Sequence, residues 1–155
     1  MNYEYHYRRR IEFADTDMAG IVHFANFFRF METAEHEFLR SVGLSVHTEI
    51  DGRTVSWPRV KAECSFKAPL RFEDELDVHL VVREKRARSI TYDFRMTDQN
   101  GRLVAIGSTK SACVAVSRDQ GDMKSIEIPK GINEKIQPAP ADKQLTDKEE
   151  VTQRR

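Results

Sequence analysis

From Phe24 onward the apolar side chains fall at Phe24, Phe27, Phe28, Met31, Ala34, Phe38, Leu39 and Val42. That three-and-four spacing is one face of a helix. Arg29, Glu32, Glu35, His36 and Arg40 fall mostly elsewhere on the wheel. Gly43 supplies a left-handed C-cap and Arg40 suits the negative end of the dipole, so the predicted helix runs about 20 residues, roughly 30 Å. Downstream the period changes to two. Val60, Ala62, Cys64, Phe66 and Ala68 alternate with Arg59, Lys61, Glu63, Ser65 and Lys67 between Pro58 and Pro69. Leu76, Val78, Leu80 and Val82 repeat the alternation, as do Ile90, Tyr92, Phe94 and Met96. "DQNGR" then offers an Asn100-Gly101 turn, and Leu103 to Val116 is predicted as the longest strand. An earlier strand, Tyr3 to Phe13, shows Tyr5, Tyr7, Ile11 and Phe13 on one face.

The predicted order is therefore one strand, one long helix and four strands, with short links that imply antiparallel neighbours. A single amphipathic helix must bury its stripe, and the apolar face of the sheet is the surface available for it. The expected fold class is α+β: an antiparallel five-stranded sheet wrapped around one long helix. The opposite sheet face carries Arg, Lys, Thr and Ser and can remain solvated, while its edge strands invite pairing with another subunit.

Composition narrows the functional classes. The chain has 155 residues, the usual size of one domain. Its 25 basic and 25 acidic residues cancel, which argues against nucleic acid or an anionic membrane surface as partner. The first thirty residues lack a signal-peptide pattern and no apolar stretch approaches a bilayer span, so the expectation is a soluble, cytoplasmic protein. Cys64 and Cys113 lie within apolar alternation and read as small buried thiols without chemistry. From about Pro138 the run "PAPADKQLTDKEEVTQRR" has almost no apolar side chains. Residues 1–137 are thus expected to form the domain and 138–155 a disordered polar tail.

The chemistry concentrates ahead of the helix. Asp15, Thr16 and Asp17 lie between the first strand and the helix, and Gly20 stands where the backbone can bend sharply and admit a ligand. The amides of Ile21, Val22, His23 and Phe24 lie in or near the first turn, where several lack an intrahelical acceptor. Such donors suit an oxyanion, and one can contribute about 3 kcal/mol of transition-state stabilisation. Asp15 reads as a cap or loop Asx-turn. A divalent ion held by Asp15, Asp17 and His23 has suitable ligand types, but the spacing matches no established loop, and no metal is expected.

The stretch "IEFADTDMAGIVHFANFFRFMETAEHEFLR" resembles the 4-hydroxybenzoyl-CoA thioesterase family, hotdog-fold acyl-CoA hydrolases with the pattern Asp-x-Asp-x-x-Gly-x-Val ahead of a helix. Asn26-Phe27 echoes a further family position, and the resemblance spans roughly residues 5 to 130. It implies that Asp17 is the catalytic carboxylate and that the backbone amide of Phe24 polarises the thioester carbonyl. Many members acting on short aliphatic thioesters have Tyr-His where this chain has His23-Phe24, and a one-residue shift turns a side chain by about 100°. Members acting on aromatic thioesters lack a histidine at the usual place, so an aromatic or bulky acyl group is expected here, with any direct role of His23 secondary.

Thioester cleavage expels a thiolate whose conjugate acid has a pKa near 8.5, so one carboxylate plus an oxyanion hole can suffice. Asp17 can act as nucleophile or as general base. Phe27, Phe28, Met31 and Trp57 are expected to set pocket depth, and Glu32 to face substrate or solvent. Arg86 and Arg88, in the "REKRARS" hairpin, align approximately with positions that hold the CoA nucleotide in relatives. The resemblance implies no cofactor beyond coenzyme A as part of the substrate, and assembly as a homodimer or homotetramer with sites between subunits. Two rival readings carry their own signals: a dehydratase on hydroxyacyl thioesters using His23 and Glu32, and a non-catalytic acyl-thioester binding module.

Overall fold

The structure is a computed structural model that describes residues 2–117, 119 and 121–146. Strand β1 (Glu4–Arg10) leads through a short 3-10 turn (Phe13–Asp15) into helix α1 (Phe24–Ser41). Strands β2 (Thr48–Ile50), β3 (Arg53–Ser56), β4 (Arg59–Phe66), β5 (Glu75–Lys85), β6 (Ser89–Thr97), β7 (Leu103–Ala112), β8 (Val114–Val116) and β9 (Met123–Ser125) follow, then helix α2 (Lys130–Asn133). The main sheet is antiparallel with order β1-β5-β6-β7-β4, which is the expected five-stranded sheet around one long helix. No helix among the described residues is long and apolar enough to cross a membrane.

Helix α1 buries Phe27, Phe30, Met31, Ala34, Phe38 and Leu39 against Leu76, Val78, Leu80 and Val82 of β5 and Ile90, Tyr92, Phe94 and Met96 of β6. Phe24 and Phe28, assigned by periodicity to the buried stripe, are exposed and half-buried respectively, because the stripe overruns the sheet at the start of the helix. Gly107 lets the helix approach: a Cβ there would stand 2.3 Å from the Met31 sulfur. Gly43, at φ +79°, ends the helix in the left-handed region as expected.

Three differences from the sequence reading have physical causes. The predicted strand Leu103–Val116 breaks at Cys113, whose N–H donates to Arg88 O at 2.8 Å and whose carbonyl accepts from Ile126. Beyond it β8 joins a second sheet of order β2-β3-β8-β9, whose strands of three or four residues are too short for alternation to register. Strand β4 carries a bulge between Arg59 and Lys61, so Arg59 pairs with Ser111 and turns inward against the parity of its neighbours. Finally, residues 138–146 are placed rather than loose. The Ala139 N–H donates to Val82 O at 2.8 Å, Gln144 Nε2 donates to Arg83 O at 3.1 Å, and Ala141–Lys143 form a 3-10 turn. These bonds to the β5 backbone tie down a segment that few apolar side chains hold. The remainder of the expected tail lies outside the described residues.

Candidate active site

The loop between β1 and α1 is built by local hydrogen bonds. The Asp15 carboxylate accepts the Glu12 N–H at 2.8 Å and pairs with Arg9. Its backbone oxygen accepts from the His23 N–H at 3.0 Å and from Asn26 Nδ2 at 2.8 Å. Asp15 therefore ties the loop to the first helical turn, the structural role its residue type suggested, with Arg9 lying 4.7 Å from the centre of the Phe30 ring. An isolated bridge between Thr16 and Val22 then closes a tight reversal. Within it the Asp17 N–H donates to Ile21 O at 2.9 Å and the Gly20 N–H to Asp17 O at 3.0 Å. Gly20 has φ +76°, and a Cβ there would meet nothing within 4 Å, so glycine is required by the left-handed backbone and not by crowding.

Asp17 is half-buried at the head of this reversal. Its Oδ1 accepts the Ala19 N–H at 2.8 Å, an Asx-turn that fixes the side chain, while no hydrogen bond among the described residues takes Oδ2. The helix start complements it. His23 is the N-cap, and its Nδ1 accepts the Ala25 N–H at 3.1 Å. The Asn26 N–H donates to His23 O at 2.9 Å. The Phe24 N–H has no acceptor among the described residues, so the positive end of an 18-residue helix presents one unfilled donor. With Nδ1 engaged as an acceptor, the proton of a neutral His23 ring resides on Nε2; the ring itself is exposed and stacks on Phe24 with centroids 4.7 Å apart.

The other expected site residues separate. Phe27 is buried, in edge contact with Phe30 and with Phe66 at the end of β4 (5.9 and 5.4 Å between centroids). Phe66, which sequence reasoning placed on an inner strand face, also meets Phe24 edge-on at 6.4 Å and is half exposed. Trp57 and Met31 lie in the core. Glu32 is exposed, 3.9 Å from Arg59 Nη2, and nine residues along the helix from His23, about 13 Å at 1.5 Å per residue. His23 and Glu32 are thus not brought together as a dehydratase pair would need. Arg86 and Arg88 lie beyond the far end of β5, whose 11 residues put them some 35 Å from the Asp17 end. Arg86 pairs with Glu84 at 2.9 Å and Arg88 donates to Ser125 O at 3.1 Å. Within one chain neither reaches Asp17.

A rim of exposed apolar side chains surrounds the Asp17 loop: Phe13, Met18, Phe24, Phe66 and Phe72. Phe13 and Phe72 meet edge-on at 6.0 Å. Phe13 is exposed, not buried as the strand pattern predicted, because β1 ends at Arg10 and the 3-10 turn redirects the chain. A concavity of about 1040 Å³ lies elsewhere, on the outer sheet face beside Ala139 and Gln144. The Asp17 end is an open apolar shelf. Elsewhere, burial pushes both free thiols, Cys64 and Cys113, up to about 11, so neither is a thiolate at neutral pH.

Residues 11–141 match the family described as the Thioesterase-like superfamily, a span that begins at the end of β1 and includes the whole Asp17 loop. The chain belongs to that family. Among relatives of this thioesterase-like protein, a 1,4-dihydroxy-2-naphthoyl-CoA hydrolase of Synechocystis sp. is 31% identical over 111 residues, 71% of this chain and 80% of its own. A 4-hydroxybenzoyl-CoA thioesterase of Pseudomonas sp. is 27% identical over 126 residues, 79% of this chain and 89% of its own. The solved structure of a gentisyl-coenzyme A thioesterase superposes with a TM-score of 0.71 at 32% identity, over 83% of this chain and 99% of that one. The shared architecture is the hotdog fold, as the resemblance implied.

Proposed function

We propose that this protein is an acyl-CoA thioester hydrolase in which the Asp17 carboxylate and the Phe24 N–H act on one thioester carbonyl. The observation that carries the reading is that, among the described residues, one Asp17 oxygen and the Phe24 N–H have no hydrogen-bond partner, and both belong to the loop and first turn that open the long helix. Along the general-base route, Asp17 takes a proton from water as the water oxygen bonds to the carbonyl carbon. The resulting oxyanion is held by the Phe24 N–H and the positive helix end. Collapse breaks the C–S bond, and the proton passes from Asp17 to the departing sulfur, giving a carboxylic acid and coenzyme A. Along the nucleophilic route Asp17 itself bonds to the carbonyl carbon, the C–S bond breaks as the coenzyme A thiolate departs, and water then hydrolyses the resulting anhydride to the carboxylic acid and the free Asp17 carboxylate. Gly20 keeps the loop in the conformation that both routes need.

The apolar rim suits a flat, aromatic acyl group, and the three named relatives act on aromatic acyl-CoAs. A second copy of the chain is the natural second wall for the shelf, in a homodimer or homotetramer. A coenzyme A nucleotide held by Arg86 or Arg88 would then meet those residues of the neighbouring copy. A cytoplasmic location follows from the same reading, since coenzyme A thioesters are used there.

The test is thiol release from a panel of benzoyl, short aliphatic and long-chain coenzyme A thioesters by wild type and Asp17→Asn. The expected outcome is preference for the aromatic thioesters and a fall in kcat of at least about a thousand-fold in the variant. Full turnover by Asp17→Asn rejects the assignment. Single turnover in ¹⁸O-water bears on the routes, because label in the Asp17 carboxyl arises only from an anhydride that water opens at the Asp17 carbon.

A further inference from the structure

The outer face of the β1–β5 pair carries side chains that hydrolysis at Asp17 does not use. His6 and His79 are register partners across this antiparallel pair. Their rings stack with centroids 4.1 Å apart and 8° between planes. His79 Nε2 lies 2.8 Å from Glu4 Oε2, and His6 Nδ1 lies 2.9 Å from Asp77 Oδ2. Ligand atoms of Glu4, His6 and His79 all lie within 4.8 Å of one another.

Two imidazoles and a carboxylate form an N2O donor set, which suits Zn²⁺ or Cu²⁺ better than the all-oxygen shells of Mg²⁺ or Ca²⁺. The Glu4 oxygen and the His79 nitrogen already stand near the roughly 3 Å separation of two donors that are each about 2.0–2.1 Å from one ion. A hydrogen bond from His6 Nδ1–H to Asp77 leaves Nε2 as the lone-pair nitrogen, the carboxylate–imidazole relation that orients metal-bound histidines. Arg8 Nε, 3.1 Å from Asp77 Oδ1, holds that carboxylate in place. Two parallel rings cannot both contain the ion in their planes, so coordination requires the stack to open. The exposed His6 ring has room to turn. His79 coordinates through Nε2 when its proton resides on Nδ1, and Glu4 then exchanges its hydrogen bond for the ion.

We propose that Glu4, His6 and His79 form a site for one divalent transition-metal ion of the Zn²⁺ or Cu²⁺ class, with Asp77 positioning His6. An ion there fastens edge strand β1, which leads directly into the Asp17 loop, to β5.

Isothermal titration of the full chain with ZnCl2 in a non-chelating buffer, with Cu²⁺ electron paramagnetic resonance, tests this. The expected result is one equivalent bound with a Kd on the order of micromolar. His6→Ala and His79→Ala should each weaken binding by at least about ten-fold, Asp77→Asn by about ten-fold, and His47→Ala not at all. The Cu²⁺ spectrum should show coupling to two imidazole nitrogens in wild type and to one in His6→Ala, and Zn²⁺ should raise the melting temperature of wild type but not of His79→Ala. Circular dichroism of the metal-free variants checks folding, and Glu4→Gln provides a conservative second probe. Absence of binding, or binding that His6→Ala and His79→Ala both leave intact, overturns the proposal.

Discussion

Asp17 and Glu35 are two carboxylates set against the same helix in opposite circumstances. Glu35, in mid-helix, is 1% exposed and faces Arg59 Nη1 at 2.7 Å, which in turn donates to Ser111 Oγ at 3.0 Å. Burial pushes Glu35 up to about 7, against the opposing pull of the Arg59 guanidinium. Asp17 sits ahead of the helix on a tight reversal, half in solvent, with a backbone amide on one oxygen and no hydrogen bond from the described residues on the other. The contrast teaches how a fold uses an acid. Where a carboxylate is enclosed with its own cation it specifies packing and is withdrawn from solvent chemistry. Where it is fixed by one short backbone bond at the head of a helix, its second oxygen stays open to the role proposed for it.

That contrast can be broken at several points. The largest expected effect is the thousand-fold loss of turnover in Asp17→Asn, about 4 kcal/mol of transition-state stabilisation, with the melting temperature little changed. Asp15→Asn should do the reverse. Loss of the Arg9 pair is expected to cost about 2 kcal/mol in urea unfolding, while the folded fraction keeps its rate within several-fold. Equal kinetic damage from both variants would erase the distinction between an anchoring and a reacting aspartate. His23→Ala removes the N-cap and should cost about 1 kcal/mol of stability, with turnover retained because Nδ1 serves Ala25.

The smallest effect is a slope. Glu35 is raised in the folded state relative to its ordinary value of 4.5, so the folded protein holds that proton more tightly than the unfolded chain. Its favourable contribution is fully present below about 4.5 and is lost as pH rises through about 7. Stability measured from pH 4.5 to 7.5 should therefore fall more steeply in wild type than in Glu35→Gln. Equal slopes would show that Glu35 titrates normally.

Much of this arrangement is legible in the chain itself. The helix follows from its apolar spacing, the strands from alternation, and the sharp turn ahead of the helix from Gly20. Glu35 misleads because its partner Arg59 is 24 positions away and faces inward only through the bulge that reverses its parity. Phe66 and Val60 look like core by alternation, yet β4 is the sheet edge and the helix covers it incompletely, so both stay exposed. The His6–His79 pair has no local signal, since it arises from the register of strands about 70 residues apart. The segment at 138–146 escapes composition because backbone and glutamine hydrogen bonds hold it.

In the proposed reaction the Phe24 N–H meets the carbonyl that Asp17 attacks or hydrates. The most direct measurement is the ¹⁵N–¹H resonance of Phe24 during titration of Asp17→Asn with an aromatic acyl-CoA thioester. A downfield shift is expected at Phe24 that saturates with binding and exceeds that at Ala25 or Asn26, whose amides already have acceptors. A saturable titration that leaves Phe24 unmoved would contradict it.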